Sequence, residues 1–336
     1  MQPTVVVSAR GSERWRRGHP WIYRADVVEV RASSGDIVRV LGPRGRPEGW
    51  AFLSDRSQIA LRMLSRGDAP VERADLRARL ASALAFRDSL DIDSTACRLV
   101  HGESDLLPSL VVDRYGEYLV VQTLAQGMDR LLPEIVAMLA ELTSPAGILA
   151  RNDARVRELE GLDRRVETVH GEVPPTVTVR EGAVELDADL WKGQKTGLFL
   201  DQRENRVAAS RYARGRLLDC FTYNGGFALA LAPGCEQVTA VDSSADAVAR
   251  TRENAARNNF TAIDVVSANV FDFLRERERE GTRYDTVVLD PPAFARNKAA
   301  VPRAIAGYKE INLRALKLLE PGGHLVTCSC SYNVSE

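Results

Sequence analysis

Beyond residue 215 short apolar runs alternate with amphipathic stretches. Residues 217–220 (Leu217-Leu218-Asp219-Cys220) read as a buried strand, and Asn224-Gly225-Gly226 as a tight turn into a helix opening at Phe227-Ala228-Leu229-Ala230. A second apolar run, 237–242, ends in Asp242, and Ser244 can cap a helix running to Asn258. The pattern then predicts strands over 264–267, 284–289 and 324–328 and helices over 270–280 and 301–319, the last closed by Pro321-Gly322-Gly323. Strands alternating with helices imply parallel pairing and a ligand at the strands' C-terminal ends. Asp219, Asp242, Asn269, Asp290 and Cys330 all fall at or just past such ends.

The first 72 residues show a different pattern. Short strand-like pieces over 4–7, 26–30, 37–40, 49–53 and 59–64 are separated by Gly, Pro and Ser, as in a small all-β barrel. Residues 71–90 carry Leu76, Leu80, Leu84 and Phe86 at helical spacing and open a second segment. It continues with a hairpin (110–113 and 118–122), a helix over 128–142, a strand over 147–150 and a hairpin around Glu181-Gly182, a small α+β domain. The polar, Gly-containing stretch 191–203 leads into a helix over 203–214. Its Lys195 and Arg203 could bind a carboxylate or phosphate, or the stretch could be a capped interdomain linker. The resulting division is 1–72, 73–185 and 186–336.

Composition narrows the class. No apolar run approaches the roughly 20 residues of a membrane span. Residues 4–7 are too short for a signal-peptide core, so the expected location is the cytoplasm. Five cysteines without CxxC spacing suit reduced thiols, and four scattered histidines give no metal-ligand spacing. Net charge is −1, yet residues 1–66 hold twelve Arg against six acids, an excess of +6 that could contact phosphates. Against this, only five residues of the chain are Lys, so arginine can simply be its usual cation. Trp21 lies beside that cluster and can stack on a base, or it can anchor the barrel core.

The candidate chemistry lies at the strand ends. The dinucleotide fingerprint Gly-x-Gly-x-x-Gly is absent. Asp219 and Asp242 are 23 positions apart, the spacing at which a second-strand acid meets ribose hydroxyls. A ribose contact without a pyrophosphate loop points to a single nucleoside ligand such as S-adenosylmethionine; a generic α/β domain with strands ending in Asp is the alternative. Asp290-Pro291-Pro292 holds an acid on a stiff turn, and Phe294 next to it can stack on an extruded base. Cys330 lies just past the fifth strand. A thiolate there could add to carbon 6 of a pyrimidine and make carbon 5 electron-rich enough to take a methyl group. A buried, inert thiol is the plainer reading, preferred for Cys328.

Taken in order, several motifs resemble the bacterial S-adenosylmethionine-dependent methyltransferases that make 5-methylcytosine in large-subunit ribosomal RNA. They are His19-Pro20-Trp21-Ile22, Leu110-Val111-Val112-Asp113-Arg114-Tyr115-Gly116, Gly193-Gln194-Lys195-Thr196-Gly197 with Leu200-Asp201-Gln202-Arg203, Leu218-Asp219-Cys220-Phe221 with Gly225-Gly226, Asp290-Pro291-Pro292-Ala293-Phe294, and Ser329-Cys330-Ser331. The resemblance implies a multi-domain fold: a PUA-like RNA-binding barrel, a central α+β domain and a C-terminal Rossmann-like class I methyltransferase sheet. It implies S-adenosylmethionine held by Phe199, Arg203, Asp219, Phe221, Asn224, Gly225, Gly226, Asp242, Asn269 and Asp290. It further implies Cys330 as nucleophile, Asp290 as the base contact, and ribosomal RNA reached through Phe294, Trp21, Arg16 and Arg17. A homodimer is an open expectation. Two departures stand out: Asn269 replaces the usual Asp, its amide oxygen still able to accept from adenine, and the sequence stops at Glu336, before the family's closing strands. The fifth strand is then expected to be an exposed edge. The alternatives are an RNA guanine N-methyltransferase, which needs no thiol, and an RNA-binding protein with a degenerate cofactor pocket.

Overall fold

Short strands, some burying every second side chain and one, over 47–53, burying six residues in a row, build the N-terminal part of the computed structural model, which describes residues 2–295, 297–331 and 334. β1 (Thr4–Val7), β2 (Trp21–Tyr23), β3 (Val27–Arg31), β4 (Ile37–Leu41), β5 (Pro47–Leu53) and β6 (Ile59–Ser65) form one sheet in the order β2-β6-β5-β4-β1-β3. Val5, Ile22, Val38, Val40 and Leu61 fill its core. This part is not purely β, because a helix, α1 (Ala9–Arg16), follows β1. The helix escapes a periodicity reading because it buries only Gly11, Ser12 and Trp15, which make no apolar stripe. Its start is fixed by Ser8 Oγ, which accepts the Gly11 N–H at 3.1 Å.

α2 (Arg73–Asp88) opens the next segment. β7 (Ala96–His101), β8 (Leu110–Tyr115), β9 (Tyr118–Thr123), β10 (Gly147–Asn152) and β11 (Arg165–Gly171) pair in the order β11-β10-β9-β8-β7. All pairs are antiparallel except β9 with β10. The helix expected over 128–142 is two helices, α3 (Gln126–Arg130) and α4 (Leu132–Thr143). Pro133, which has no N–H to donate, sits in the first turn of α4 and marks the break at Leu131. β7 and β11 were not legible as strands; β11 buries none of its side chains fully. β12 (Thr176–Glu181) and β13 (Val184–Asp189) then form a two-stranded sheet. The chain has two compact units that divide within this hairpin: residues up to 179 with 188–198, and 180–187 with 199 onward.

The second unit runs α5 (Arg203–Ser210), β14 (Gly215–Cys220), α6 (Gly226–Leu231), β15 (Cys235–Asp242), α7 (Ala245–Arg257), β16 (Ile263–Ser267), α8 (Val270–Glu280), β17 (Tyr284–Leu289), α9 (Val301–Leu318) and β18 (Leu319–Thr327). Its five strands are parallel in the order β16-β15-β14-β17-β18. Alternation along the strands sends Leu218, Cys220 and Leu289 to one face, with Phe273 of α8 and Ile311 of α9. It sends Leu217, Val238 and Val288 to the other, with Phe227 of α6 and Val248 of α7. Register sets the site: Cys220 pairs with Val241 and Leu289, and Leu289 with Thr327. The next residues, Phe221, Asp242, Asp290 and Cys328, therefore emerge level at the strands' C-terminal edge.

Several bounds differ from the pattern: β14, β15 and β16 begin earlier, at Gly215, Cys235 and Ile263, and β18 ends at Thr327, leaving Cys328 just past the strand. α5 stops at Ser210, and β18 begins at Leu319, with the Pro-Gly-Gly inside a register shift between Tyr284 and Thr286 of its partner strand. Among the described residues β16 and β18 are the two edges of this sheet; Glu336, on which the exposed-edge expectation for β18 rests, lies outside them.

Candidate active site

The loop from β14 to α6 is wound by backbone that few residues tolerate. Phe221, Tyr223 and Gly225 have φ of 64°, 55° and 86°. A Cβ on Gly225 would come within 3.0 Å of Leu229 Cδ1 and Thr251 Cγ2, so only glycine fits without displacement. Two polar side chains on the buried face of α7 hold the loop: Thr251 Oγ1 donates to the Tyr223 carbonyl and Asn254 Nδ2 to the Asn224 carbonyl, each at 2.9 Å. Neither was singled out from sequence. The available signal was a polar residue recurring on the stripe of α7 that also buries Ala247, Val248 and Ala255.

Asp219 is the most perturbed acid of the site. Its Oδ2 accepts from Thr222 Oγ1 at 2.6 Å and from the Ala228 N–H at 3.0 Å. Its Oδ1 is buried with no hydrogen-bond partner, as is Nδ2 of Asn224 in the following loop. Burial pushes the Asp219 carboxyl up to about 7, the two hydrogen bonds pull it back, and the nearby charges of Asp290 and Asp242 push it further up. One buried acceptor and one buried donor, both unmet by protein, suit the ammonium and carboxylate of an α-amino acid.

Asp242 ends β15 with both oxygens turned to backbone: Oδ2 accepts from the Tyr223 N–H at 3.0 Å and Oδ1 from the Ser244 N–H at 2.9 Å. Each oxygen keeps a lone pair with which it could meet a diol. Asn269 caps α8, its Oδ1 accepting from the N–H groups of Phe271 (3.0 Å) and Asp272 (3.4 Å). The oxygen assigned from sequence to adenine is thus already committed to the helix, and Nδ2 is the group left to face a ligand. Phe199 sets its ring edge-on to Tyr223 with centroids 5.3 Å apart. Arg203 pairs with the neighbouring Glu204 at 2.8 Å. Gly226 begins α6, and a Cβ there would meet Nη1 of Arg206 at 3.3 Å.

Asp290 follows β17, and its Oδ1 accepts from Gln202 Nε2 at 3.1 Å. Phe294 is half-buried, with Tyr308, Phe271 and Phe221 centroids at 4.7, 5.9 and 6.3 Å. Three rings already pack on it, so it anchors the Asp-Pro-Pro turn whatever else it touches. Ser331 joins this turn to the segment after β18: its Oγ accepts from the Ala295 N–H at 3.2 Å and lies 2.8 Å from Tyr308 Oη. Cys330, next to it, is exposed, and its Sγ is 3.6 Å from the Pro291 carbonyl oxygen. Cys328 is half-buried, and its thiol is pushed up to about 12, by burial first and by the Asp290 charge second. Such a thiol is not a nucleophile near neutral pH.

The second unit thus brings together Phe199, Arg203, Asp219, Phe221, Asn224, Gly225, Gly226, Asp242, Asn269, Asp290, Phe294 and Cys330. Trp21, Arg16 and Arg17 belong to the first unit. Trp21 is half-buried and donates through Nε1 to Glu103 at 2.8 Å. Arg16 holds the buried Glu48 at 3.1 Å, and Arg17 pairs with Glu13 at 2.8 Å in the open. Arg10 and Arg31 pair with acids already counted in the +6 excess, whereas Arg39 and Arg62 pair with Asp68 and Glu160, beyond residue 66.

Among the described residues no group of three His, Cys, Asp or Glu side chains is placed to hold a metal ion, and no helix is long and apolar enough to cross a membrane. Residues 5–66 match a PUA-like domain, and residues 98–335 match a model described as S-adenosylmethionine-dependent methyltransferase. Among curated proteins, the ribosomal RNA large subunit methyltransferase I of Vibrio cholerae is 37% identical over 98% of this chain and 86% of its own length. Those of Tolumonas auensis and Klebsiella pneumoniae are each 39% identical, over 98% and 97% of this chain and 86% and 84% of their own. Among solved structures, a protein described as a methyltransferase, in complex with S-adenosylhomocysteine, superposes with a TM-score of 0.82 at 21% identity, covering 97% of this chain and 85% of its own. One from Streptococcus mutans gives 0.80 at 20% identity over 100% and 87%. These two share the fold. With a methyltransferase model spanning most of its length and relatives up to 39% identical along nearly all of it, the chain belongs to the S-adenosylmethionine-dependent methyltransferases, in the branch of ribosomal RNA large subunit methyltransferase I, and S-adenosylmethionine is its cofactor.

Proposed function

We propose that this protein methylates carbon 5 of a cytosine in large-subunit ribosomal RNA through a covalent adduct with Cys330. The observation that carries the reading is the contrast between two neighbouring thiols. Cys330 is exposed beside the Pro291 carbonyl, one residue from Asp290, whereas the Cys328 thiol is half-buried and pushed up to about 12.

In this reading Asp219 Oδ1 takes the cofactor's ammonium and Asn224 Nδ2 its carboxylate, the buried atoms that lack protein partners. Asp242 accepts from the ribose hydroxyls, Asn269 meets adenine through Nδ2, and the close-approach Gly225 and Gly226 let the ligand reach the loop backbone. Phe221, Phe199 and Arg203 would close over it. The bound cofactor supplies an electrophilic methyl group.

Cys330 Sγ, as the thiolate, forms a bond to carbon 6 of the cytosine, and the electron pair of the 5,6 double bond moves onto carbon 5. Asp290 holds the ring by its amino edge or N3 and stabilises the adduct electrostatically. Carbon 5 then bonds to the methyl group as the methyl–sulfonium bond breaks, leaving S-adenosylhomocysteine; a base takes the carbon-5 proton, the C–H electron pair re-forms the 5,6 double bond, and the carbon 6–sulfur bond breaks to release the Cys330 thiolate. Pro291 follows Asp290 where a second cysteine would otherwise stand, so that turn gives no thiol assistance to release. Arg17, the face of Trp21 and the rest of the N-terminal barrel supply RNA affinity, with the three parts 1–72, 73–185 and 186–336 as the working division.

RNA carrying 5-fluorocytosine tests this, because fluorine on carbon 5 cannot leave as a proton. With S-adenosylmethionine, the wild type should form a denaturation-resistant protein–RNA complex, Cys328→Ala should still form it and Cys330→Ala should not. Retained methyl transfer by Cys330→Ala would remove the covalent step and favour direct attack by a base nitrogen, as in guanine N-methylation.

A further inference from the structure

Between the linker after β13 and α5, a short 3-10 turn (Leu200–Gln202) carries Gln202 to the end of β17. Its two amide ends have distinct partners. Nε2 donates to Asp290 Oδ1 at 3.1 Å, and Oε1 accepts from Asn205 Nδ2 at 2.6 Å. An ionised carboxylate only accepts, so Asp290 takes the Nε2 end of the Gln202 amide and leaves the Oε1 end for Asn205 Nδ2. The same side chain lies near enough to the Cys328 thiol to pull its pKa down against the effect of burial. Gln202 is half-buried in a region of negative charge: Asp290 and Asp219 act on that thiol, and Asp242 acts on Asp219. Gln202 thus donates to Asp290 through a neutral amide, which adds no charge to the site where a cationic cofactor binds.

We propose that Gln202 is a positioning residue for methyl transfer: its amide N–H sets the plane of the Asp290 carboxylate, and Asn205 sets the amide. This rests on the proposed role of Asp290 as the base contact. A donor aimed at Oδ1 restricts rotation of the acid about its terminal bond, which has broad, shallow preferences when unconstrained. Orientation of a group that must meet a planar base within hydrogen-bond distance is a large part of its catalytic worth. Cys328, too basic to act itself, is a wall of this device and not a second nucleophile.

The test is a comparison of Gln202→Glu with Gln202→Ala, in the full chain, with ribosomal RNA and with S-adenosylhomocysteine as the binding probe. Gln202→Glu keeps the shape and the Asn205 bond but turns an acceptor toward an acceptor. It should lower kcat by about ten- to hundredfold, the worth of a hydrogen bond to a charged group, and by more than Gln202→Ala. KM for RNA should stay within about threefold. A side chain that merely fills space would show the opposite order, with Gln202→Ala the worse variant, and that result would overturn the proposal. Thermal melting gives a readout without turnover: Gln202→Glu should lower the melting temperature in the wild-type background and much less in Asp290→Asn, whose amide can donate back. Equal shifts in both backgrounds would show that the Gln202–Asp290 bond does not form. If the wild type makes no 5-methylcytosine while the melting coupling holds, the assignment of carbon 5 fails and the positioning bond stands.

Discussion

Proton uptake at Asp219 should govern cofactor affinity around neutral pH. Its carboxyl is pushed from 3.8 to about 7, mainly by burial. The shift of roughly 3 units corresponds to about 4 kcal/mol of differential stabilisation, an upper figure for so buried a group. The sign follows from linkage. Between pH 4 and 7 the folded protein binds a proton at Asp219 that the unfolded chain has released, so this group makes the ligand-free protein less stable as pH rises through that window. A bound ammonium reverses the preference, because it favours the carboxylate. S-adenosylhomocysteine, which carries the same amino-acid end, should therefore bind with an affinity that falls toward about tenfold per unit as pH drops below 7 and levels off above 8. Titration calorimetry from pH 5.5 to 8.5 reads this directly, as does the number of protons released on binding. Asp219→Asn should bind more weakly at pH 8, lose this pH dependence, and melt higher than the ligand-free wild type at pH 8. A flat affinity profile for the wild type across that range would refute the assignment of Asp219 to the ammonium.

The loop and the barrel give further expectations. Gly225→Ala adds a Cβ at φ of 86° against Leu229 and Thr251; urea denaturation should show a loss of roughly 1–3 kcal/mol, and no loss would mean the loop relaxes freely. Ser331→Ala removes the link between the Ala295 N–H and Tyr308 Oη; it should slow adduct formation on 5-fluorocytosine RNA while S-adenosylhomocysteine affinity stays unchanged, and a matched loss of both would count against it. Arg17→Ala, at an exposed arginine, should reduce the salt slope of RNA binding by about one, whereas Arg16→Ala should destabilise the barrel by leaving the buried Glu48 without its ion pair, with Ser12 still donating to it. A large slope change for Arg16→Ala with unaltered melting would reverse those two roles.

What was legible in the sequence follows from how each element is stabilised. The central parallel strands of the second unit, β14 and β17, are buried on both faces, so their apolar runs stand out, and β17 and α8 begin and end where the pattern puts them. α1 and β11 were missed because neither carries an apolar stripe: the helix rests on Trp15 and a serine cap, and the strand is held by pairing along β10. The acids at the strand ends were legible because parallel topology alone delivers them to one edge. Their partners were not. Gln202, Thr251, Asn254 and Ser331 act through hydrogen bonds across 88, 28, 30 and 36 positions of sequence, and no local pattern records such a distance. In the basic barrel a charge count says nothing of pairing: of its twelve arginines, Arg10 and Arg16 hold the buried Asp26 and Glu48, acids already subtracted in the +6 excess.

That contrast bears on the cofactor. Elsewhere in this chain arginine is the usual answer to an acid, even on the surface, as Arg275 with Glu310 and Arg314 with Glu278 show. Asp219 and Asp242 are exceptions: the partners of both are neutral, a hydroxyl and backbone N–H groups. Two carboxylates so placed, with the charge of Asp290 raising the first of them further, leave a negative potential at the C-terminal edge of the sheet that no protein cation cancels directly at either acid. Holding that arrangement costs stability when the site is empty, because one of the acids is buried against its own ionisation. The cost is recovered when the ligand is a cation. S-adenosylmethionine carries positive charge at its ammonium and at the sulfonium, whereas S-adenosylhomocysteine retains only the first. The same uncompensated charge that draws the cofactor in should therefore hold it more tightly than its product, and this preference should narrow as ionic strength rises only to the extent that the acids are open to solvent. Asp219 is closed to solvent, so most of the preference should survive in high salt.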